Sequence, residues 1–264
     1  MPRHQQRSPG SKPKQSVHRR FGGFYDSAKF IIQVFVIALV IRTLVLEPFQ
    51  IPSGSMIPNL LIGDRLMVSK YSYGYGKYSF PFQPFDFTGR LLGTNRPERG
   101  EVVVFRKPSE PDIAFIKRVI GLPGDKVQMR QGRLYVNDKP AARQRIQDFL
   151  VTNRFGVATG AVRQYQEQIG QAQSHRIIEQ FGDNGPRDHT RIFTVPARHY
   201  FMMGDNRDAS HDSRALYDVG FVPEEHLIGR AEFLFFSIEP GIRWWQFWQF
   251  PAAIRWSRIA QGIR

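Results

Sequence analysis

The 264-residue chain contains no cysteine, so disulfides, thiolate zinc sites and a cysteine nucleophile are excluded together. Acidic residues are scarce as well: 23 Asp and Glu stand against 37 Lys and Arg, for a net charge of +14. Such an excess suggests nucleic acid until it is located along the chain. Residues 1–29 carry seven basic residues against Asp26 alone, and residues 241–264 carry Arg243, Arg255, Arg258 and Arg264 with no acid. The basicity belongs mostly to the two ends, and a nucleic-acid partner is not expected. Tryptophan is absent until Trp244, Trp245, Trp248 and Trp256, where it is interleaved with arginine. That mixture suits the headgroup zone of a bilayer better than a buried core.

Long apolar runs are missing with one exception, residues 30–46 (FIIQVFVIALVIRTLVL), interrupted only by Gln33, Arg42 and Thr43. As a helix rising about 1.5 Å per residue it spans roughly 25 Å, near the lower limit for a hydrocarbon core of about 30 Å. Lys29 and Arg42 can snorkel to the two interfaces and extend that reach. The basic arm before the run and Pro48 after it favour a membrane span over a buried core helix. No small-x-small cleavage pattern follows Leu46, where the chain reads Glu-Pro-Phe-Gln, so the span is expected to be an uncleaved signal anchor. The positive-inside rule then places residues 1–29, a disordered arm, in the cytoplasm and residues 47–264 on the far side of a cytoplasmic membrane.

Helix signals beyond the span are weak, while 23 glycines and 18 prolines punctuate short β-branched and aromatic runs. Residues 65–71, 101–105, 114–120, 126–129 and 133–136 read as strands, the last two as a hairpin. Residues 162–169 and 175–181 read as a second hairpin within a variable insertion, 141–190. The aromatic stretch 71–87 reads as a loop lying on the domain or at a membrane interface. The fold class expected is mainly β: one N-terminal transmembrane helix, then a β-rich domain with an inserted β subdomain and a Trp/Arg-rich tail at 241–264.

Three segments can carry chemistry. In Gln50-Ile51-Pro52-Ser53-Gly54-Ser55-Met56-Ile57-Pro58, two prolines bracket a turn whose glycine frees the backbone, which can hold a serine in one exposed pose. A serine nucleophile needs a base, and none of the seven histidines has a triad setting: His4 and His18 lie in the arm, and His175, His189, His199, His211 and His226 are dispersed. Lysine serves only when neutral. In Ala114-Phe115-Ile116-Lys117-Arg118-Val119-Ile120 strand alternation puts one cation on each apolar face, and of the two only Lys117 can lose its proton. Bringing its pKa from about 10.4 to near 7–8 means destabilising the ammonium by roughly 4 kcal/mol, which burial can supply. The third segment, residues 204–214 (GDNRDASHDSR), fails the calcium-loop spacing because Arg207 and Ala209 occupy ligand positions. Ion pairs within a rigid polar turn are the better reading, and no metal is expected.

In this order the three segments closely resemble bacterial type I signal peptidase, a membrane-bound serine protease with a Ser-Lys dyad. The resemblance runs from the span through the Pro-Ser-Gly-Ser-Met-Ile-Pro turn, Leu61-Ile62-Gly63-Asp64, Arg99–Phe105, residues 116–125 and the 204–210 turn. It implies that Ser55 is the nucleophile and Lys117 the general base, that Ser53 donates to the oxyanion with the Ser55 N–H, and that Ser210 orients the amine. Asp212 and Arg214 match a supporting salt bridge, with Asp205 in the same turn, and Ile51, Pro52 and Ile116 match the substrate pockets. Ala209 departs from the asparagine common there. The implied activity is endoproteolytic removal of signal peptides from exported preproteins after small residues of the Ala-x-Ala type, without a cofactor, against membrane phospholipid. A dedicated single-substrate processing protease and a non-catalytic membrane-tethered β domain are the alternatives.

Overall fold

The computed structural model describes residues 18–80, 87–93, 95–152, 158–242 and 245–263. Helix α1 (His18–Leu44) contains the apolar run. From Tyr25 to Leu44 it is long and apolar enough to cross a membrane, and none of that stretch is buried, which is the opposite of a core helix. The arm expected to be disordered as far as residue 29 is helical from His18, because a nucleated helix extends into its flanks at little further cost. Residues 1–17 lie outside the described residues. The span also ends earlier than expected: Leu46 already pairs with Ser69 as a strand.

The second unit, residues 41–264, holds the β domain. Its strands are β1 (Leu46–Gln50), β2 (Asp64–Ser69), β3 (Val102–Lys107), β4 (Glu110–Gly121), β5 (Lys126–Arg130), β6 (Arg133–Val136) and β7 (Lys139–Pro140). The insertion contributes β8 (Ala142–Arg145), β9 (Phe149–Thr152), β10 (Ala158–Gln168) and β11 (His175–Glu179). Then come β12 (Phe193–Thr194), β13 (His199–Met203), β14 (Val222–Pro223) and β15 (Leu227–Ser237). They form a seven-stranded sheet in the order β1-β2-β15-β3-β4-β13-β14, a four-stranded sheet β12-β5-β6-β7, and a third of β11-β10-β8 with β9 also on β10. Every strand expected before residue 140 is present, and the insertion hairpin pairs Arg163 with Glu179 through Glu167 with His175.

The large sheet is covered on both faces, which is why β3 reads as an unbroken apolar run rather than an alternating one. Val102 and Val104 join Ile51, Met56, Leu60, Leu66 and Leu234 on one side, while Val103 and Phe105 join Val119, Tyr200, Met202 and Leu227 on the other. A third cluster under the small sheet gathers Ile120, Val127, Met129, Leu134, Phe193 and Phe201. Within the aromatic stretch Tyr73 and Tyr78 are buried, so its described part lies on the domain, while residues 81–86 fall outside the description.

The tail folds back onto the same domain. Ala260 N–H donates to Leu234 O at 2.7 Å and Ile263 N–H to Glu232 O at 2.8 Å, extending the β15 edge. Trp245, Trp248 and Trp256 nevertheless stay exposed, and Trp244 is outside the described residues.

Candidate active site

The serine turn is held from below. Met56 and Leu60 anchor it in the core, Leu60 N–H donates to Met56 O at 2.9 Å, and Ile51 exchanges backbone bonds with Asp64 and Gly63 at 2.9 and 3.0 Å. Ser55 is thereby turned toward β4, where the Lys117 amine meets its Oγ at 2.6 Å. Both are buried, at 7% and 4% exposure, and the amine lies 5.1 Å from the centre of the Phe115 ring. Burial pushes the Lys117 pKa down from 10.5 to about 8, against the pull of Asp212 and Asp205 and with a further push from Arg214. A group near 8 is a usable base close to neutrality, whereas an ordinary lysine is not.

The next residue of β4 faces the other way. Arg118 makes a two-point ion pair with Asp205, Nε to Oδ1 at 2.8 Å and Nη2 to Oδ2 at 2.7 Å, and both residues are 1% exposed. Burial alone would raise the Asp205 carboxyl, but Arg118, His175 and Asn59 outweigh it and hold it below the usual carboxylate range. Asp212 is paired likewise with Arg214, at 2.9 Å on both oxygens, and is held below its ordinary value by Arg214 and the Gly204 N–H despite its burial. Two fixed ion pairs flank the lysine without touching its amine, so the dominant influence on that amine is dehydration.

Ser53 is exposed at the rim of the same site. Ser210 is fully buried, near enough to Asp212 to help hold that acid ionised, but its Oγ makes no well-formed hydrogen bond to Lys117 or to any other described group. The expected serine–lysine contact is therefore not made. Gly204 sets the spacing between these parts: a Cβ there would fall on the Ser210 side chain and within 2.5 Å of the Ser55 carbonyl oxygen. Gly204→Ala is expected to cost about 1–3 kcal/mol as an overpacked site. Peptide cleavage should drop at least tenfold, on the order expected for a small misplacement of reacting groups, and parallel thermal melts and kcat values check both effects.

A cavity of about 300 Å³ opens over the pair, walled by 49–53 on one side and 113–117 on the other, with Val104, Ala209 and His211. Ile51, Pro52 and Ile116 all line it. Its walls are mainly apolar, which suits an uncharged ligand better than a charged one.

Several residues that shape the site carry no sequence signal of that role. Asn206 clamps the serine turn, its backbone N–H donating to Ser55 O at 3.0 Å and its side chain to Gly54 O at 3.2 Å. Asn59 donates to both Asp205 Oδ2 and Arg176 O at 2.7 Å. Arg207 is buried against Glu167 of the insertion, and Ile178 of β11 bridges to Asn206. The segment 141–190, which the sequence presents as a variable insertion, is thus built into the support of the polar turn.

A sequence profile of the family described as "Signal peptidase, peptidase S26" matches residues 24–236. Signal peptidase I of Rickettsia typhi is 39% identical over 242 residues, covering 89% of this chain and 85% of the relative. Signal peptidase I of Rickettsia prowazekii is 39% identical over 238 residues, covering 88% and 84%. Among solved structures, a signal peptidase I from Enterococcus faecalis V583 is similar at 24% identity over 52% of this chain and 97% of that one, with a TM-score of 0.29. The extent of the profile match and of the two rickettsial relatives, spanning the serine turn, β4 and the 204–214 turn alike, shows that the chain belongs to the signal peptidase family, peptidase S26.

Proposed function

We propose that this protein is a membrane-anchored serine endopeptidase that removes signal peptides from exported preproteins, with Ser55 as nucleophile and Lys117 as general base. The observation that carries the reading is the buried 2.6 Å contact between the Lys117 amine and the Ser55 hydroxyl at the floor of an apolar groove. In the neutral state the amine takes the Ser55 proton as Oγ attacks the scissile carbonyl. It then passes that proton to the departing amine of the mature chain, leaving an acyl-enzyme that water hydrolyses through the same base. The Ser53 hydroxyl and the Ser55 N–H supply the oxyanion donors, each worth about 3–4 kcal/mol of transition-state stabilisation. Ser210, buried beside Asp212, is assigned the orienting of the lysine amine, and the Asp212–Arg214 pair braces the turn that carries it.

The substrate would lie extended between the end of β1 and the 113–117 segment of β4, where Ile51, Pro52 and Ile116 leave room for small side chains of the Ala-x-Ala pattern and exclude bulk by overlap. Tethering by α1, with residues 1–29 cytoplasmic, brings the groove to a substrate that the bilayer also holds, raising its effective concentration. The exposed Trp245, Trp248 and Trp256 fit contact with phospholipid headgroups. The test is cleavage of several unrelated preproteins by the full chain in lipid, each at an Ala-x-Ala boundary, with Ser55→Ala inert. Cleavage of a single preprotein alone would instead indicate a dedicated processing enzyme. Activity retained in Ser55→Ala would remove the serine from the chemistry.

A further inference from the structure

The profile match ends at residue 236, yet the chain beyond it reaches back to the serine turn. Arg258 is the point of contact. Its guanidinium pairs with Asp64, Nη2 to Oδ2 at 2.6 Å and Nε to Oδ1 at 3.2 Å, and the same Nη2 donates to the backbone oxygen of Asn59 at 2.9 Å. Asp64 is fully buried and also accepts from Ser237 Oγ at 2.6 Å and from Leu61 N–H at 2.8 Å. Arg255 adds a bond to Ile238 O at 2.7 Å and one to Ile62 O. The two arginines thus tie residues 59–64, the exit of the serine turn, to β15 and to the tail itself.

Asn59 passes the restraint on. Its backbone belongs to the turn that begins at Ser55, while its side-chain amide donates at 2.7 Å to Asp205 Oδ2 and to Arg176 O. Asp205 in turn holds Arg118, the neighbour of Lys117. One continuous set of bonds therefore runs from the tail through the nucleophile's turn to the strand that carries the base.

We propose that Arg258, acting through Asn59, is a positioning residue that sets Ser55 against Lys117, so that the C-terminal tail is a working part of the catalytic apparatus. The role rests on the Ser-Lys reading above. A fork that bonds a carboxylate and a main-chain oxygen at once fixes both distance and direction, which a lone charge does not. Misplacement of reacting groups by as little as about 1 Å can cost on the order of a hundredfold in rate.

The experiment compares full-length wild type, Arg258→Gln and the Asp64→Asn/Arg258→Gln double variant on one preprotein in lipid, with active sites counted by a serine-reactive acylating probe. In both variants kcat per active site is expected to fall on the order of tenfold or more while KM stays within about twofold, the pattern of a lost transition-state interaction. The thermal midpoint should fall in the single variant, where buried Asp64 keeps only the more distant Arg255 guanidinium at 3.8 Å as an ion-pair partner, and recover in the double one. If the double variant regains kcat along with its midpoint, Arg258 serves only to neutralise Asp64 and the proposal is overturned. The same holds if the single variant loses active sites but keeps wild-type kcat in those that remain. Should Arg258→Gln fail to fold, the double variant decides the question alone. Absence of cleavage by wild type overturns the proposed function itself, and this role with it.

Discussion

Lys117→Met is expected to abolish preprotein cleavage and, at the same time, to raise the thermal midpoint at neutral pH. The first effect follows from losing the base: a positioned proton acceptor contributes about 10²- to 10⁴-fold, and the remaining donors cannot take the Ser55 proton. The second follows from the cost of holding an ammonium at 4% exposure. A pKa moved from 10.5 to about 8 corresponds to about 3 kcal/mol of destabilised cation. Below pH 8 both the folded and the unfolded chain keep the proton, so the folded state carries the whole penalty. Between about 8 and 10.5 the folded chain releases it first and gains stability as the pH rises; above 10.5 the penalty is gone. Methionine fills a similar volume without charge, so its advantage should be largest below pH 8 and shrink through that window. Melts at pH 7 and pH 10 measure this directly. Wild-type kcat/KM should climb with pH to a plateau above about 8, the acid limb reporting Lys117 in the free enzyme. A Lys117→Met protein that still cleaves, or a wild-type rate that is flat from pH 6 to 9, would remove lysine from the base role.

The parts of this site that could be read from sequence are those set by local chemistry. Strand alternation places Lys117 and Arg118 on opposite faces, and the structure sends them to different partners, Ser55 and Asp205. The serine turn announces itself by Pro52, Gly54 and Pro58, and the Asp212–Arg214 pair is implied by the family resemblance. What stayed hidden depends on contacts between distant segments. Asn59 meets Asp205 across 146 positions, Arg258 meets Asp64 across 194, and Arg207 meets Glu167 across 40. Composition and periodicity carry no record of such pairings, because each side chain taken alone reads as an ordinary polar residue. The reach of α1 back to His18 is not legible for a related reason: the flanking sequence is polar, and helix propagation from an apolar core does not require apolarity. The Ser210 hydroxyl is a different case. The resemblance implies a bond to lysine, and the structure shows the hydroxyl buried beside Asp212 without that bond.

Asp205→Ala is expected to destabilise the fold by about 3–5 kcal/mol, the usual result of stripping one partner from a buried ion pair. Arg118 is 1% exposed, and its bond to the neutral carbonyl of Gly100 at 2.6 Å cannot replace the lost carboxylate. Against a typical total of about 5–15 kcal/mol, a loss of that size leaves a marginal protein. The pair also biases the base. Asp205 pulls the Lys117 pKa upward, so removing it takes that pull away, and the acid limb of kcat/KM should move to lower pH in whatever protein remains folded. Acid unfolding supplies an independent readout: the Asp205 carboxyl is held below its ordinary 3.8, so its contribution is complete above that value and is lost as pH falls below it. That component of the acid transition should be missing from the variant. Asp205→Ala/Arg118→Met separates charge from architecture, since removing both ions should return most of the stability. If the double variant is as unstable as the single one, the cost lies instead with the Asn59 amide, whose second acceptor at Arg176 O then carries the join between serine turn and insertion alone.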